Sequence, residues 1–255
     1  PRGAAGRAIL RVGRFDVLFA IIFSRVGRML KIHDPAVPVA CWSCSVGHND
    51  SILFCPHCSK IQPPPGSDFF SVFGLEPRLN LDLKALETEF HRLSRKLHPD
   101  RFARAPDNEK QWSLADTALV NDAYRTLRDP VRRTEYLLKL KGVRQDSGHE
   151  DEARAPAPPD LLEEVFDLNL QIEEMRTLRA AGGTNPELAA GLVEAKEKFE
   201  EMLRAVDERL RAEWLAWDGG DETARLAAQE KMATLLSHRR YLANLLRDVN
   251  EILGD

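Results

Sequence analysis

The sequence predicts an all-α protein built from two helical modules and one small cysteine-rich module. Apolar residues recur at three- and four-residue steps through most of the chain, whereas alternating Val, Ile and Thr runs that would indicate strands are sparse. The 255 residues are 43% hydrophobic and 30% charged, which is typical of folded helical domains rather than of a disordered chain. The net charge of −4 gives no general support for nucleic-acid binding.

Residues 1–40 precede the first cysteine and have a composition of their own. The first 33 residues contain seven Arg or Lys and a single acid, Asp16, as in an organellar transit peptide. An extension without packed structure is an equally open interpretation. The apolar run Val17–Phe23 is much shorter than the roughly 20 residues that span a bilayer, so we predict no membrane insertion. The expected location is the bacterial cytoplasm, or the mitochondrial matrix if residues 1–33 are a transit peptide.

Residues 41–61 are predicted to form a structural zinc module. They hold all the cysteines of the chain, in two Cys-x-x-Cys pairs ten residues apart: Cys41, Cys44, Cys55 and Cys58. Four thiolates fill a tetrahedral shell, which leaves no position open for catalysis, and the metal would supply the folding energy of so short a segment. The alternative is a redox pair or a set of oxidised cysteines. No Lys or Arg lies between Cys44 and Cys55, which disfavours a nucleic-acid-binding ribbon.

Residues 67–141 follow the proline-rich segment 62–66 and are predicted to form the middle, helical module. A short helix carrying Phe69, Phe70 and Phe73 lies across an antiparallel pair of longer helices. The apolar stripe of the first long helix is Leu83, Leu86, Phe90, Leu93 and Leu97, and that of the second is Trp112, Ala115, Leu119, Ala123 and Leu127. A further helix spans Val131 to Leu140, after the stop at Asp129-Pro130.

The tripeptide His98-Pro99-Asp100 ends the first long helix, because Pro99 disfavours helical geometry at His98. A catalytic role would need a nucleophile, a cleft and a positioned partner, and no such motif accompanies it. An ordinary solvated turn is the plainer interpretation. The basic helix face beside the turn favours a third one, a surface that grips an acidic partner by charge-assisted hydrogen bonds.

Residues 142–159 are rich in Gly, Pro and charge and are predicted to be a linker to a three-helix bundle over residues 160–254. The second bundle helix begins at Pro186 after a capping Asn185, and it ends at Gly219-Gly220. The third runs from about Glu222 to Leu253.

The first bundle helix has two apolar faces. At 100° per residue, the core stripe is formed by Val165, Leu168, Ile172 and Met175. A second ridge, formed by Leu162, Phe166 and Leu170, lies on the other side of the helix. Either this ridge packs on the middle module or it is kept for a partner protein.

Four segments, taken in order, resemble the J domain of HscB-type co-chaperones, which assist a DnaK-type ATPase chaperone in iron–sulfur cluster biogenesis. The segments are DFFSVFGL (68–75), LSRKLHPDRF (93–102), LVNDAYRTLRDP (119–130) and EYLLKLKG (135–142). Two of them are particular to this subfamily. The resemblance covers about residues 41–254, since versions with an N-terminal pair of Cys-x-x-Cys motifs exist.

The resemblance implies that this protein is a co-chaperone and not an enzyme. The residues expected to contact the DnaK/HscA-type chaperone and raise its ATPase rate are His98, Pro99 and Asp100, with Arg92, Arg95 and Lys96 adding electrostatic contact. The residues expected to bind an IscU-type iron–sulfur scaffold protein are Leu162, Phe166, Asp167, Arg240 and Tyr241. Two positions depart from the family pattern: Leu170 replaces an acidic residue and Glu163 replaces an apolar one.

A second hypothesis is a general J-domain adaptor. In this case the bundle holds a different client, and the zinc module reports redox state.

Overall fold

The computed structural model describes residues 39–48, 52–143 and 162–254, so residues 1–38 and most of the predicted linker lie outside the described residues. The all-α prediction is confirmed. The helices within these ranges are α1 (Phe69–Val72), α2 (Leu83–Leu97), α3 (Asp107–Arg128), α4 (Pro130–Leu140), α5 (Leu162–Ala180), α6 (Pro186–Gly219) and α7 (Glu222–Leu253). A 3-10 turn spans Pro99–Phe102. Within the same ranges, no helix is both long and apolar enough to cross a membrane.

The middle module is an antiparallel pair, α2 and α3, with α1 and α4 packed against it. Side chains that accept backbone N–H hydrogen bonds begin each of three helices: Asp68 caps α1, Asp82 caps α2 and Asp129 caps α4. Helix α2 ends at Leu97, because His98 has an extended ψ of 128° before Pro99. The core between the pair is formed by Leu86, Leu93, Leu97, Val120, Ala123 and Leu127.

Two predicted stripe positions in this module were wrong. Leu83 and Ala115 are exposed, and the buried face of α3 instead includes Ser113 and Asp116. Ser113 Oγ donates a 2.6 Å hydrogen bond to the Leu97 carbonyl, which lacks a further helical turn to bond with. A polar residue that hydrogen-bonds to the end of a neighbouring helix is not part of the apolar pattern. The predicted buried face of α3 was therefore displaced around the helix from the observed one.

The cysteine module includes two more residues than predicted, because its first strand, β1 (Val39–Ala40), precedes Cys41. Strand β1 pairs in antiparallel register with β2 (Gly47–His48). The module is not a detached appendage: Leu53 and Ile61 are buried in the same core as the middle module. Trp42 also makes an edge contact with Trp112 of α3, with ring centroids 5.5 Å apart. The segment 62–66 therefore connects two packed units rather than separating them.

The bundle has the predicted helices and caps. Asn185 Oδ1 accepts hydrogen bonds from the N–H groups of Glu187 and Leu188, and α6 ends at Gly219 as expected. Helices α6 and α7 form a long antiparallel hairpin, and α5 packs against both. The buried residues of the hairpin recur at helical spacing and include Leu192, Phe199, Val206, Leu210, Met232, Leu235, Leu242, Leu246 and Val249.

The tip of this hairpin is bonded to the middle module. Asp218 accepts hydrogen bonds of 2.8 Å from the N–H of Leu79, the N–H of Asn80 and the Asn80 side-chain amide. Further along α7, Arg240 forms a 3.3 Å ion pair with Glu135 of α4. The bundle and the middle module are thus joined at two separate points.

One buried carboxyl group sets a pH dependence of stability. Asp116 is fully buried, and neither of its oxygens has a hydrogen-bond partner among the described residues. Burial disfavours the charged form and raises the pKa of Asp116 to about 7. The unfolded chain releases this proton near pH 4 and the folded protein near pH 7, so the group's stability contribution is full below about pH 4 and is lost as the pH rises to about 7.

We therefore expect Asp116→Asn to stabilise the protein in a pH-dependent way. The free energy of unfolding of the variant, relative to the original protein, should increase between about pH 4 and pH 8 by up to about 4 kcal/mol, because the amide never ionises. Chemical denaturation of both proteins at the two pH values measures this difference. If the difference in unfolding free energy between the two proteins stays constant across this pH range, the pKa of Asp116 is not raised.

Candidate functional site

The turn after α2 presents two polar side chains to solvent. The side chains of His98 and Asp100 are 60% and 90% exposed. His98 Nδ1 lies 3.3 Å from the backbone nitrogen of Asp100 and 3.5 Å from Asp100 Oδ2. Pro99 holds the two side chains on one rigid corner. This corner can donate and accept hydrogen bonds at once, which suits recognition of a polar partner surface.

The predicted basic face lies beside this corner. Arg92, Arg95 and Lys96 are all exposed on α2. Arg92 is paired with Glu89, one turn earlier on the same helix, and this ion pair raises the pKa of the arginine. The face therefore offers a partner less free charge than the sequence suggests, with Arg95 and Lys96 as its more available cations.

The two faces of α5 lie as the spacing predicts. Val165, Leu168, Ile172 and Met175 are buried in the bundle core. The ridge of Leu162, Phe166 and Leu170 is 56%, 66% and 56% exposed, so it does not pack on the middle module. Three large apolar side chains on one exposed helix face favour a protein-binding surface.

The remaining predicted scaffold-binding residues have unequal accessibility. Asp167 is exposed beside the ridge on α5. Tyr241 is half-buried and packs against the bundle core. Arg240 is half-buried in its ion pair with Glu135, so its guanidinium already serves the junction between modules.

The cysteines converge as a metal site requires. The four sulfur atoms all lie within 4.8 Å of one another, and the Cys41–Cys58 and Cys44–Cys55 separations are both 3.7 Å. Ligands about 2.3 Å from a tetrahedral ion lie about 3.8 Å apart, so the sulfur positions fit a bound ion. The two knuckles have the same backbone turn: Ser45 N–H bonds to the Cys41 carbonyl and Ser59 N–H to the Cys55 carbonyl, both at 2.9 Å.

The thiols influence one another's ionisation. Burial raises the pKa of Cys41, but hydrogen bonds from the backbone N–H groups of Cys44 and Ser43 and from the thiols of Cys44 and Cys58 together lower that pKa to about 6. The Val46 N–H lowers the pKa of Cys44, whereas burial and the other three thiols together raise it to about 12. One thiolate thus opposes the next, and a bound cation would allow all four to ionise.

Comparison with known proteins shows which family this chain belongs to. A DnaJ-domain family model matches residues 68–136, which include the corner and the basic face. The mouse protein "Iron-sulfur cluster co-chaperone protein HscB" is 30% identical over 95% of this chain and 94% of its own length. The chain belongs to the HscB family.

Two further HscB proteins also match this chain. "Co-chaperone protein HscB homolog" of Aromatoleum aromaticum is 40% identical over 56% of this chain and 78% of its own length. The crystal structure of human co-chaperone protein HscB matches with a TM-score of 0.58 and 26% identity, over 84% of this chain and 98% of that one. HscB proteins are co-chaperones rather than enzymes, which confirms the non-enzymatic prediction. The middle module is called the J domain from here on.

Gln62 is a site residue that the sequence analysis missed. It is buried beneath the cysteines, and its Nε2 donates to Cys41 Sγ at 3.4 Å and to the Lys60 carbonyl at 2.9 Å. Its Oε1 lies 3.0 Å from His48 Nε2. Gln62 therefore holds the Cys41 sulfur from the layer of residues around the four cysteines. Its position at the start of the proline-rich segment concealed this role.

We expect Gln62→Leu to weaken metal binding by about tenfold or more, because the variant loses the N–H donor to the Cys41 sulfur. Competition between the protein and a chromophoric chelator for Zn²⁺ measures the affinity. Gln111→Leu, which alters an exposed glutamine on α3, is the matched control. Equal affinities in the two variants would show that Gln62 only fills space.

Proposed function

We propose that this protein stimulates the ATPase of a DnaK/HscA-type chaperone and delivers an IscU-type scaffold protein to it during iron–sulfur cluster assembly. The observation that carries the proposal is that both predicted docking surfaces are exposed on one connected structure. The polar corner lies on the J domain, and the apolar ridge lies on the bundle. Its compartment is that of these partners, the bacterial cytoplasm or the mitochondrial matrix.

The chaperone docks on the corner and the basic face. His98 Nε2–H and the Asp100 carboxylate form hydrogen bonds with the nucleotide-binding part of the chaperone, and Arg95 and Lys96 attract its acidic groups. If Arg92 also contacts the chaperone, its ion pair with Glu89 has to break. The hydrolytic site belongs to the chaperone, so the contribution of this chain is binding and orientation.

The scaffold docks on the ridge. Leu162 and Phe166 bury apolar area, and Asp167 adds a polar contact at the margin. Leu170 is apolar where the family has an acid, and it extends the hydrophobic footprint instead. Tyr241 of α7, which packs against the bundle core, adds to the scaffold-binding surface. Arg240 contributes to binding while its ion pair with Glu135 holds the J domain.

The cysteine cluster holds zinc in a structural role. Four thiolates satisfy a closed tetrahedral shell, and the sulfur separations agree with the size of a zinc site. When bound, zinc would supply the cross-link that a segment this short needs to stay folded.

We expect His98→Gln to reduce ATPase stimulation to the basal rate of the chaperone while the fold stays intact. The glutamine amide cannot reproduce the fixed geometry of the imidazole at the corner. Steady-state phosphate release measures stimulation, and circular dichroism checks the fold. His91→Gln makes the same change at an exposed position within α2, and this variant should stimulate the ATPase normally. Normal stimulation by His98→Gln would refute the chaperone contact.

We expect Phe166→Ala to weaken scaffold binding about tenfold, which corresponds to about 1.4 kcal/mol, with ATPase stimulation by the protein alone unchanged. Isothermal titration calorimetry with the purified scaffold protein measures the affinity. Leu215→Ala, which truncates a 68% exposed leucine on α6, controls for the general loss of apolar surface. Adding Tyr241→Ala should weaken binding further. If Phe166→Ala binds like Leu215→Ala, the ridge is not the scaffold site.

We expect the purified protein to contain one zinc ion per chain and Cys44→Ser to lose it, because three thiolates leave the shell open. Elemental analysis gives the zinc content. The emission of Trp42, which contacts Trp112, should change in the variant, while far-UV circular dichroism reports retained helices. If the purified protein contains no zinc after incubation with a zinc salt, the four cysteines are not a zinc site.

A further inference from the structure

A groove of about 830 Å³ lies between the cysteine module and the J domain. The module forms one wall, from Ile52 to Ile61. The J domain forms the rest of the lining, with residues 71–74, the C-terminal half of α2, and Glu109. Arg101 and Phe102 also line it and belong to the same turn as Pro99 and Asp100. The groove therefore reaches the two residues that directly follow the polar corner in the chain.

The walls of this groove are held in place. Leu53 and Ile61 share the J-domain core, and Lys60 forms a 2.9 Å ion pair with the buried Glu109 of α3. These contacts, with the Trp42–Trp112 contact, fix the module against the J domain. The groove is thus a shaped surface and not a gap between independent units.

The groove has a positive charge that the chain does not neutralise. Two of the cations that line it already form ion pairs within the chain: Arg92 with Glu89, and Lys60 with Glu109. Lys96 and Arg101 also line the groove, and within the described ranges neither forms an ion pair. An anionic group in the groove would meet two unpaired cations.

The module also positions one of these cations. Lys96 Nζ lies 5.6 Å from the centre of the Phe54 ring, within cation–π range, although Lys96 remains exposed. The contact restricts the side-chain freedom of Lys96 and directs its ammonium group toward the groove. Apolar side chains line the floor, among them Leu53, Val72 and Leu93.

We infer that the cysteine module is part of the chaperone-docking surface, and that the groove receives an extended acidic segment of the ATPase chaperone. This inference rests on the proposed function. The carboxylates of the segment pair with Lys96 and Arg101, and an adjacent apolar side chain meets the floor. Continuity with the corner allows one partner to occupy both, and the positive charge rejects a basic segment. The module thus adds a second wall to a docking face that α2 and the turn would otherwise form alone.

Charge variants at Ile52 test this inference. Ile52 lines the groove outside the two Cys-x-x-Cys knuckles and is only partly buried, so new side chains here leave the metal ligands intact. Ile52→Glu, Ile52→Gln and Ile52→Lys are prepared as full-length, zinc-loaded protein. Their affinities for the purified DnaK-type chaperone are measured by biolayer interferometry at low and high salt, and scaffold affinity is measured alongside.

Relative to Ile52→Gln, we expect Ile52→Glu to bind the chaperone about three- to fivefold more weakly and Ile52→Lys to bind at least as tightly. The difference should shrink between about 50 and about 300 mM salt, and scaffold affinity should not change. Equal chaperone affinities in all three variants would overturn the groove assignment. If His98→Gln still loses stimulation in that case, the corner remains valid and only the groove fails; if His98→Gln stimulates normally, the proposed function itself fails.

Discussion

The arrangement of the docking surfaces depends on one carboxylate. Asp218 lies at the tip of the α6–α7 hairpin and accepts three hydrogen bonds from Leu79 and Asn80, in the loop that precedes α2. Hydrogen bonds to a charged acceptor are stronger than neutral ones, and two of these come from backbone groups that cannot rotate away. The Arg240–Glu135 pair adds a second point of attachment, so rotation about the Asp218 contact is opposed.

This junction would allow the two proposed docking surfaces to act together. The corner is polar and depends on the α2 terminus, whereas the ridge is apolar and depends on the core stripe of α5. Neither surface needs the other for its own geometry. Because both belong to one connected structure, partners bound to them are held near each other, and their effective concentration rises without new contacts between them. The cysteine module packs beside α2, and we infer that it adds to the surface that the chaperone meets there.

Much of this was predictable from sequence because it depends on local periodicity. The three- and four-residue spacing predicted the helices, the core stripe of α5 and its exposed ridge, and the two Cys-x-x-Cys pairs predicted the four-cysteine cluster. Features that depend on tertiary hydrogen bonds were not predictable. Ser113 bonds to the Leu97 carbonyl on a core face that apolar spacing assigned to Ala115, and Gln62 reaches Cys41 from a proline-rich segment. Asp218 bonds to residues far away in the chain. A polar side chain does not indicate in sequence which distant backbone group it will satisfy.

We propose that one chain holds the chaperone and the scaffold protein simultaneously. The most direct measurement is the apparent affinity of the chaperone for the scaffold, determined by fluorescence anisotropy while this protein is titrated from zero to large excess. A bivalent connector should first tighten the apparent affinity by about tenfold or more and then reverse the effect, because in excess separate copies occupy each partner. An affinity that never changes, or that tightens to a plateau without reversal, would contradict the account.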